Sequence, residues 1–160
     1  MPVHVLYLKC DLENVREVRF DPAHRWCLDI KNPLGEDVRK EVWVSAAEEH
    51  DLDGSRGTAN FVMKWDKASK KQCYACVQQV KNVTRPITED DSGSWVPVVA
   101  FECRGLDPIA FHPTNGATIV ASSGAAYEDC DISDDWCEVD EKTGECSTVM
   151  NIEAKFELHR

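Results

Sequence analysis

The chain has 160 residues, 42% of them hydrophobic, with a formal net charge of −11 and a pI near 4.8. That length makes one domain, or two small halves sharing a core, with enough buried surface to be stable without covalent staples. The acidity excludes nucleic acid and anionic membrane surfaces as partners, since both demand a basic face, and no run approaches the ~20 apolar residues that span a bilayer.

A period of two dominates the hydrophobic pattern. Val3, Val5 and Tyr7 alternate with His4 and Leu6, predicting a first strand with both faces partly buried. This start lacks the basic and apolar regions of a signal peptide, so a cytoplasmic location is expected, with the nucleus as the other option. In that reducing setting the eight cysteines are expected to be thiols. Further strands are predicted at Trp26–Lys31, Val42–Val44, Ala59–Lys64, Cys73–Val83, Val96–Cys103, Ala117–Ala121 and Thr148–Phe156. Breakers such as Asn32-Pro33, Gly54 to Gly57, Pro86, Gly105 and Asn115-Gly116 separate them. Only Ala46–Glu49 and Asp134–Asp140 read as helical turns. Many short strands between frequent breakers indicate a mainly β body.

One segment repeats in blurred form. Phe101 to Pro113 reads FECRGLDPIAFHP, a strand, a tight turn and a return; Leu8 to Pro22 reads LKCDLENVREVRFDP. Both carry a Cys after a charge (Cys10, Cys103), then a Leu (Leu12, Leu106), then Phe-x-Pro. The echo predicts two pseudo-symmetric antiparallel β halves, sandwich or half-barrel, in one compact unit. Residues 1–88 form the first half and 94–160 the second. The acidic stretch 89–93 is expected to be a flexible linker, and 128–145 a second exposed acidic loop.

Few residues invite chemistry. Cys73-Tyr74-Ala75-Cys76 is a CxxC, half of a four-thiolate zinc site. On a strand, residues three apart point to opposite faces, so the two sulfurs diverge unless Tyr74-Ala75 turns. Two strand thiols, a zinc shared across a symmetric dimer, a soft-metal site and a redox pair all stay open at this level. Asp129, Asp131, Ser133 and Asp140 loosely follow a calcium-loop spacing, but Asp134 stands where that loop needs Gly. Cys103, beside Arg104, becomes a nucleophile only with His112 as base. Gly54-Ser55-Arg56-Gly57 is too short for a phosphate loop and has no following Lys-Ser/Thr.

FECRGLDP, the upstream GSRGTANFVMK (Gly54 to Lys64), Arg25-Trp26, and Asp135-Trp136 with Asp140-Glu141 together resemble the eukaryotic CXXC-motif-containing zinc-binding proteins. These are small intracellular proteins of poorly defined function. The resemblance implies two β-rich halves and a zinc held by two CxxC pairs, one after the Arg-Trp strand and one after the GxRGSAxxVxK strand. Asn32 and Leu34 stand at the first place here, Trp65 and Ala68 at the second, so all four thiolates are expected to be absent. A structural zinc needs four good ligands. The expectation is therefore a chain without a cofactor, whose two loops are held by an apolar plug, Trp65 covering Leu34 or Pro33. Zinc or another soft metal on Cys73 and Cys76 is the alternative.

The expected role is non-catalytic binding of an unidentified protein partner. The candidate surfaces are the loops carrying Arg56 and carrying Arg104, Leu106 and Asp107, since Arg and aromatic side chains concentrate in binding hot spots.

Overall fold

The computed structural model describes residues 2–160. Fifteen strands follow in order: β1 (Val3–Glu13), β2 (Val15–Phe20), β3 (Trp26–Lys31), β4 (Val38–Val44), β5 (His50–Asp51), β6 (Thr58–Ala59), β7 (Phe61–Met63), β8 (Cys73–Gln78), β9 (Ile87–Thr88), β10 (Val96–Arg104), β11 (Asp107–His112), β12 (Ala117–Ala121), β13 (Ala126–Cys130), β14 (Trp136–Val139) and β15 (Cys146–Leu158). A single 3-10 turn, Glu89–Asp91, lies between β9 and β10. The protein is thus mainly β, with a curled half-barrel sheet and several smaller antiparallel ones.

The largest sheet has the order β14-β15-β1-β10-β8-β7. Its centre is the antiparallel pair of β1 and β10, with Leu6 opposite Val99 and Val5 opposite Ala100. Both strands are buried on both faces, which explains their near-continuous apolar runs. A second sheet runs β11-β3-β4 and a third β13-β12-β2-β9. Exchanging β1, β2, β3, β4, β7 and β8 for β10, β11, β12, β13, β14 and β15 leaves this strand order unchanged apart from β9.

The strand, turn and return at Phe101–Pro113 exists, but it is not a hairpin. β10 stays in the six-stranded sheet while β11 turns away to pair with β3. The same happens at β1 and β2, where β2 leaves to pair with β12. Gly105 (φ +76°) and Asn14 (φ +54°) make the two corners in the left-handed region that Gly and Asn tolerate best. β2 thereby joins β12 and β13, and β11 joins β3 and β4.

The core fills the space between these sheets. Trp26 is its largest fully buried side chain. Its ring lies 5.0 Å from Phe20, 5.8 Å from Phe111 and 6.2 Å from Phe101, tilted or edge-on in each case, as the quadrupoles of aromatic rings favour.

Three expectations need correction. Asp134–Asp140 is not a helical turn: Trp136–Val139 is an edge strand, because pairing with β15 satisfies its backbone. Ala46–Glu49 makes only a β-turn, closed by Glu48 N–H to Ser45 O at 3.1 Å. The segment 89–93 is not a loose linker. Arg85 donates to both oxygens of Asp91 at 2.7 and 2.8 Å, and Thr88 N–H donates to the same carboxylate. Ser92 Oγ accepts Leu12 N–H, and Gly93 N–H donates to Cys10 O. Polar anchors hold a stretch that has no apolar ones.

Candidate functional site

Two loops meet at one end of the molecule. The β3–β4 turn closes itself: Asn32 N–H donates to Asp37 O, Gly35 N–H to Asn32 O, and Asn32 Oδ1 accepts Leu34 N–H at 3.0 Å. The segment between β7 and β8 does likewise. Asp66 Oδ1 accepts Ala68 N–H at 2.9 Å, Ser69 N–H donates to Asp66 O, and Ser69 Oγ accepts Lys71 N–H. Short polar side chains bonding the backbone two residues on are an ordinary way to hold such turns. Between the loops lies a cleft of about 430 Å³ lined by Asn32, Pro33, Leu34, Trp65, Asp66, Ser69, Lys71, Cys73 and Gly105. Three of the four positions singled out from the resemblance therefore share one cleft; Ala68 is exposed beside it.

Trp65 anchors this place. Its indole Nε1–H donates to Gly105 O at 2.8 Å, and its half-buried ring packs on the core. The Arg39 guanidinium lies 5.6 Å from the ring centroid and donates to Lys64 O at 3.4 Å, a cation–π arrangement. Leu34, however, is 84% exposed. The expected plug of Trp65 over Leu34 or Pro33 is thus corrected for Leu34, while Pro33, itself exposed, shares the cleft with Trp65. Trp65 is held by a hydrogen bond and a cation instead, because the tight Asn32 turn carries Leu34 outward.

The donors at this cleft do not fit a tetrahedral zinc. One thiol, Cys73, faces Gly105 so closely that a Cβ on that glycine would collide with its sulfur. Asp66 is engaged in its own turn. Lys71 adds a cation. Among the described residues no three His, Cys, Asp or Glu side chains gather closely enough to share an ion. Cys73 and Cys76 sit on opposite faces of β8, the first buried and the second half-buried. Burial pushes both thiols above their usual range. A site made from that pair within one chain would need the strand to break.

The residues considered for chemistry are also kept apart. Cys103 is buried, its thiol close to Phe101 O and pushed far up by burial. His112 Nε2 bonds Asp29 Oδ1 at 2.8 Å. Burial works against the Asp29 carboxylate, yet the Glu41 N–H and His112 hold it below the usual range. Asp131 caps the Ser133 N–H, while Asp140 binds Ser123 Oγ and the Lys142 N–H. Asp131 and Asp140 are thus spent on separate turns, and Asp129 accepts from Asn115 Nδ2.

Of the candidate binding residues, Arg56 and Arg104 are exposed. Leu106 is 2% exposed and belongs to the core, which corrects its assignment to a binding surface. Asp107 is half-buried and faces His4 Nε2 at 3.4 Å. Ser55 and Arg104 line a second cleft of about 270 Å³ together with Lys70, Lys71 and Tyr74. It adjoins the first through Lys71. Sequence reasoning passed over Lys67, Lys70 and Lys71, although three lysines within five residues of so acidic a chain were the available signal.

No helix among the described residues is long and apolar enough to cross a membrane. A CXXC motif containing zinc binding protein from Homo sapiens is 30% identical over 155 residues, covering 94% of this chain and 95% of that protein. The Drosophila melanogaster UPF0587 protein CG4646 is 32% identical with 94% of each covered. The structure of a hypothetical protein from Plasmodium falciparum superposes with a TM-score of 0.91 at 28% identity, over 98% of this chain and all of that one. The crystal structure of C1orf123 gives 0.85 at 28% identity, over 97% and 98%. The family described as CXXC motif containing zinc binding protein, eukaryotic, matches residues 5–157, and the chain belongs to it.

Proposed function

We propose that this chain is a zinc-free member of its family and acts by binding a partner protein rather than by catalysis. The cleft between the 31–37 and 64–72 loops carries the reading. It offers one thiol, already packed against Gly105, and both loops are closed by their own side chains. Trp65, bonded to Gly105 O, joins the loops' end of the sheet to the β10–β11 corner.

The surface around the cleft favours a particular partner chemistry. Lys71 lines the cleft together with the exposed Leu34, and Lys70 and Arg104 line the adjoining one with Asp53, in a protein of net charge −11. An acidic segment carrying an apolar residue complements such a patch, and long-range attraction would steer it there. The interchangeable strand order, together with the echo of Leu8–Pro22 in Phe101–Pro113, supports two related halves. A cytoplasmic or nuclear setting accords with eight unpaired cysteines.

Metal analysis by X-ray fluorescence, on protein purified without chelator, is expected to find far less than one zinc per chain; one equivalent overturns the zinc-free reading. For the partner, a photo-crosslinker at position 34 is expected to capture acidic proteins from extract. Lys70→Glu with Lys71→Glu and Arg104→Glu should abolish that capture, and an unchanged crosslink pattern would refute this surface.

A further inference from the structure

The other end of the six-stranded sheet carries a pair of thiols that the cleft does not involve. β14 and β15 pair antiparallel there, with Cys137 opposite Thr148 and Val139 opposite Cys146. Side chains alternate across a sheet, so Cys137 and Cys146 project from the same face as diagonal neighbours. Their sulfurs stand 2.7 Å apart, well inside ordinary contact between two thiols. Cys137 is exposed and Cys146 partly so, whereas Cys10, Cys27, Cys73, Cys103 and Cys130 are buried.

The connection between the two cysteines is built to keep them in register. Asp140 N–H donates to Glu145 O at 2.9 Å and Gly144 N–H to Asp140 O at 2.7 Å. The Asp140 carboxylate accepts Lys142 N–H and ties the turn to Ser123 on another loop. β14 has no strand on its outer side. Its hold on the sheet rests on β15 and on Trp136, whose ring lies 5.5 Å from Tyr127.

We propose that Cys137 and Cys146 form a dithiol–disulfide exchange site that takes a low-molecular-weight disulfide of the glutathione class as its oxidant. The Cys137 thiolate attacks one sulfur of the oxidant, forming a mixed disulfide and expelling one thiolate. The Cys146 thiolate then attacks Cys137 Sγ and expels the second. Two protein thiols become one disulfide, the oxidant becomes two thiols, and the protons pass to the released thiolates. Exposed Cys137 is the entry thiol. Cys146, more enclosed and hydrogen-bonded to its neighbour, is the resolving one. The bridge pins the edge strand β14 to β15.

The test incubates the reduced, folded full-length protein with oxidised glutathione, alkylates the remaining thiols and maps tryptic peptides by mass. Cleavage at Lys142 separates the two cysteines, so a bridge shows as two joined peptides. The expected result is that joined species, reversed by dithiothreitol, with the other six cysteines still alkylated after unfolding. Cys137→Ser and Cys146→Ser should each hold one persistent glutathione on the remaining thiol, with circular dichroism unchanged. Cleavage at Lys142 in the folded protein should slow severalfold once the bridge forms. Two freely alkylated thiols in the wild type, a stable mixed disulfide there, or bridges to the other cysteines would each overturn the proposal.

Discussion

The two ends of the six-stranded sheet are counterparts in strand order, yet their loops are closed by different chemistry. Between β7 and β8, nine residues are gathered by the Asp66 and Ser69 turns and by Trp65 reaching across to Gly105. Between β14 and β15, six residues are gathered by Asp140, with two sulfurs side by side at its base. The first end relies on a ring, a cation and a glycine; the second on a buried carboxylate and a thiol pair. A topology fixes where a loop must be tied off, but the sequence is free to choose the knot.

Gly105 is the sharpest place to break the first end. Gly105→Ala forces a Cβ into Cys73 Sγ at a φ of +76°. Left-handed strain plus overpacking should cost about 3 kcal/mol in urea unfolding; a loss under half of that would mean β8 shifts easily and Cys73 is not a tight neighbour. Trp65 comes next. Trp65→Ala removes a half-buried aromatic and its bond to Gly105 O, with an expected cost of about 2 kcal/mol. Trp65→Phe keeps an aromatic ring but loses the Nε1–H and should cost about 1 kcal/mol, which separates most of the packing from the hydrogen bond.

The stretch from Arg85 to Gly93 gives a smaller effect. Asp91 is held well below the usual carboxylate range by its paired bonds to Arg85 and then by the Thr88 backbone and hydroxyl. A depressed carboxyl contributes stability that is present above its unfolded pKa near 4 and is lost as pH falls below that value. Arg85 is partly exposed, so screening limits the contribution to about 1 kcal/mol. Asp91→Asn should flatten the acid limb of a stability-versus-pH curve by that amount, as chemical denaturation from pH 7 to 3 would read out. Smallest of all, Leu34→Ala should change stability by less than about 0.5 kcal/mol because the side chain is exposed. A larger loss would restore the apolar plug that the geometry argues against.

Strand content was legible from period two and from short apolar runs bounded by turn residues: Trp26–Lys31, Val96–Cys103 and Ala117–Ala121 were all foreseen. The corner at Gly105 was legible as a turn. Its consequence was not, since turn residues say nothing about which strand a chain pairs with next. Trp136–Val139 escaped because three of its four residues are exposed and it alternates nothing. At the cleft, Asn32, Leu34 and Trp65 were found by position, but burial decided their roles. Leu34 is hydrophobic by type and solvent-facing by geometry. The Cys137 and Cys146 pair was hidden for a similar reason: nine residues of separation do not disclose a register, which only pairing between β14 and β15 sets.

The placement of β1 between β10 and β15 also governs how the protein is born. β1 has neither lateral partner until residues beyond 96 have been made. At roughly 5–20 residues per second, that is a wait of several seconds or more. Throughout it, VHVLYLKC is an unpaired apolar strand of the kind that aggregates. Nascent chains stalled near residue 95 should therefore bind holdase chaperones, and chains long enough to expose β10 and β15 should lose that attachment.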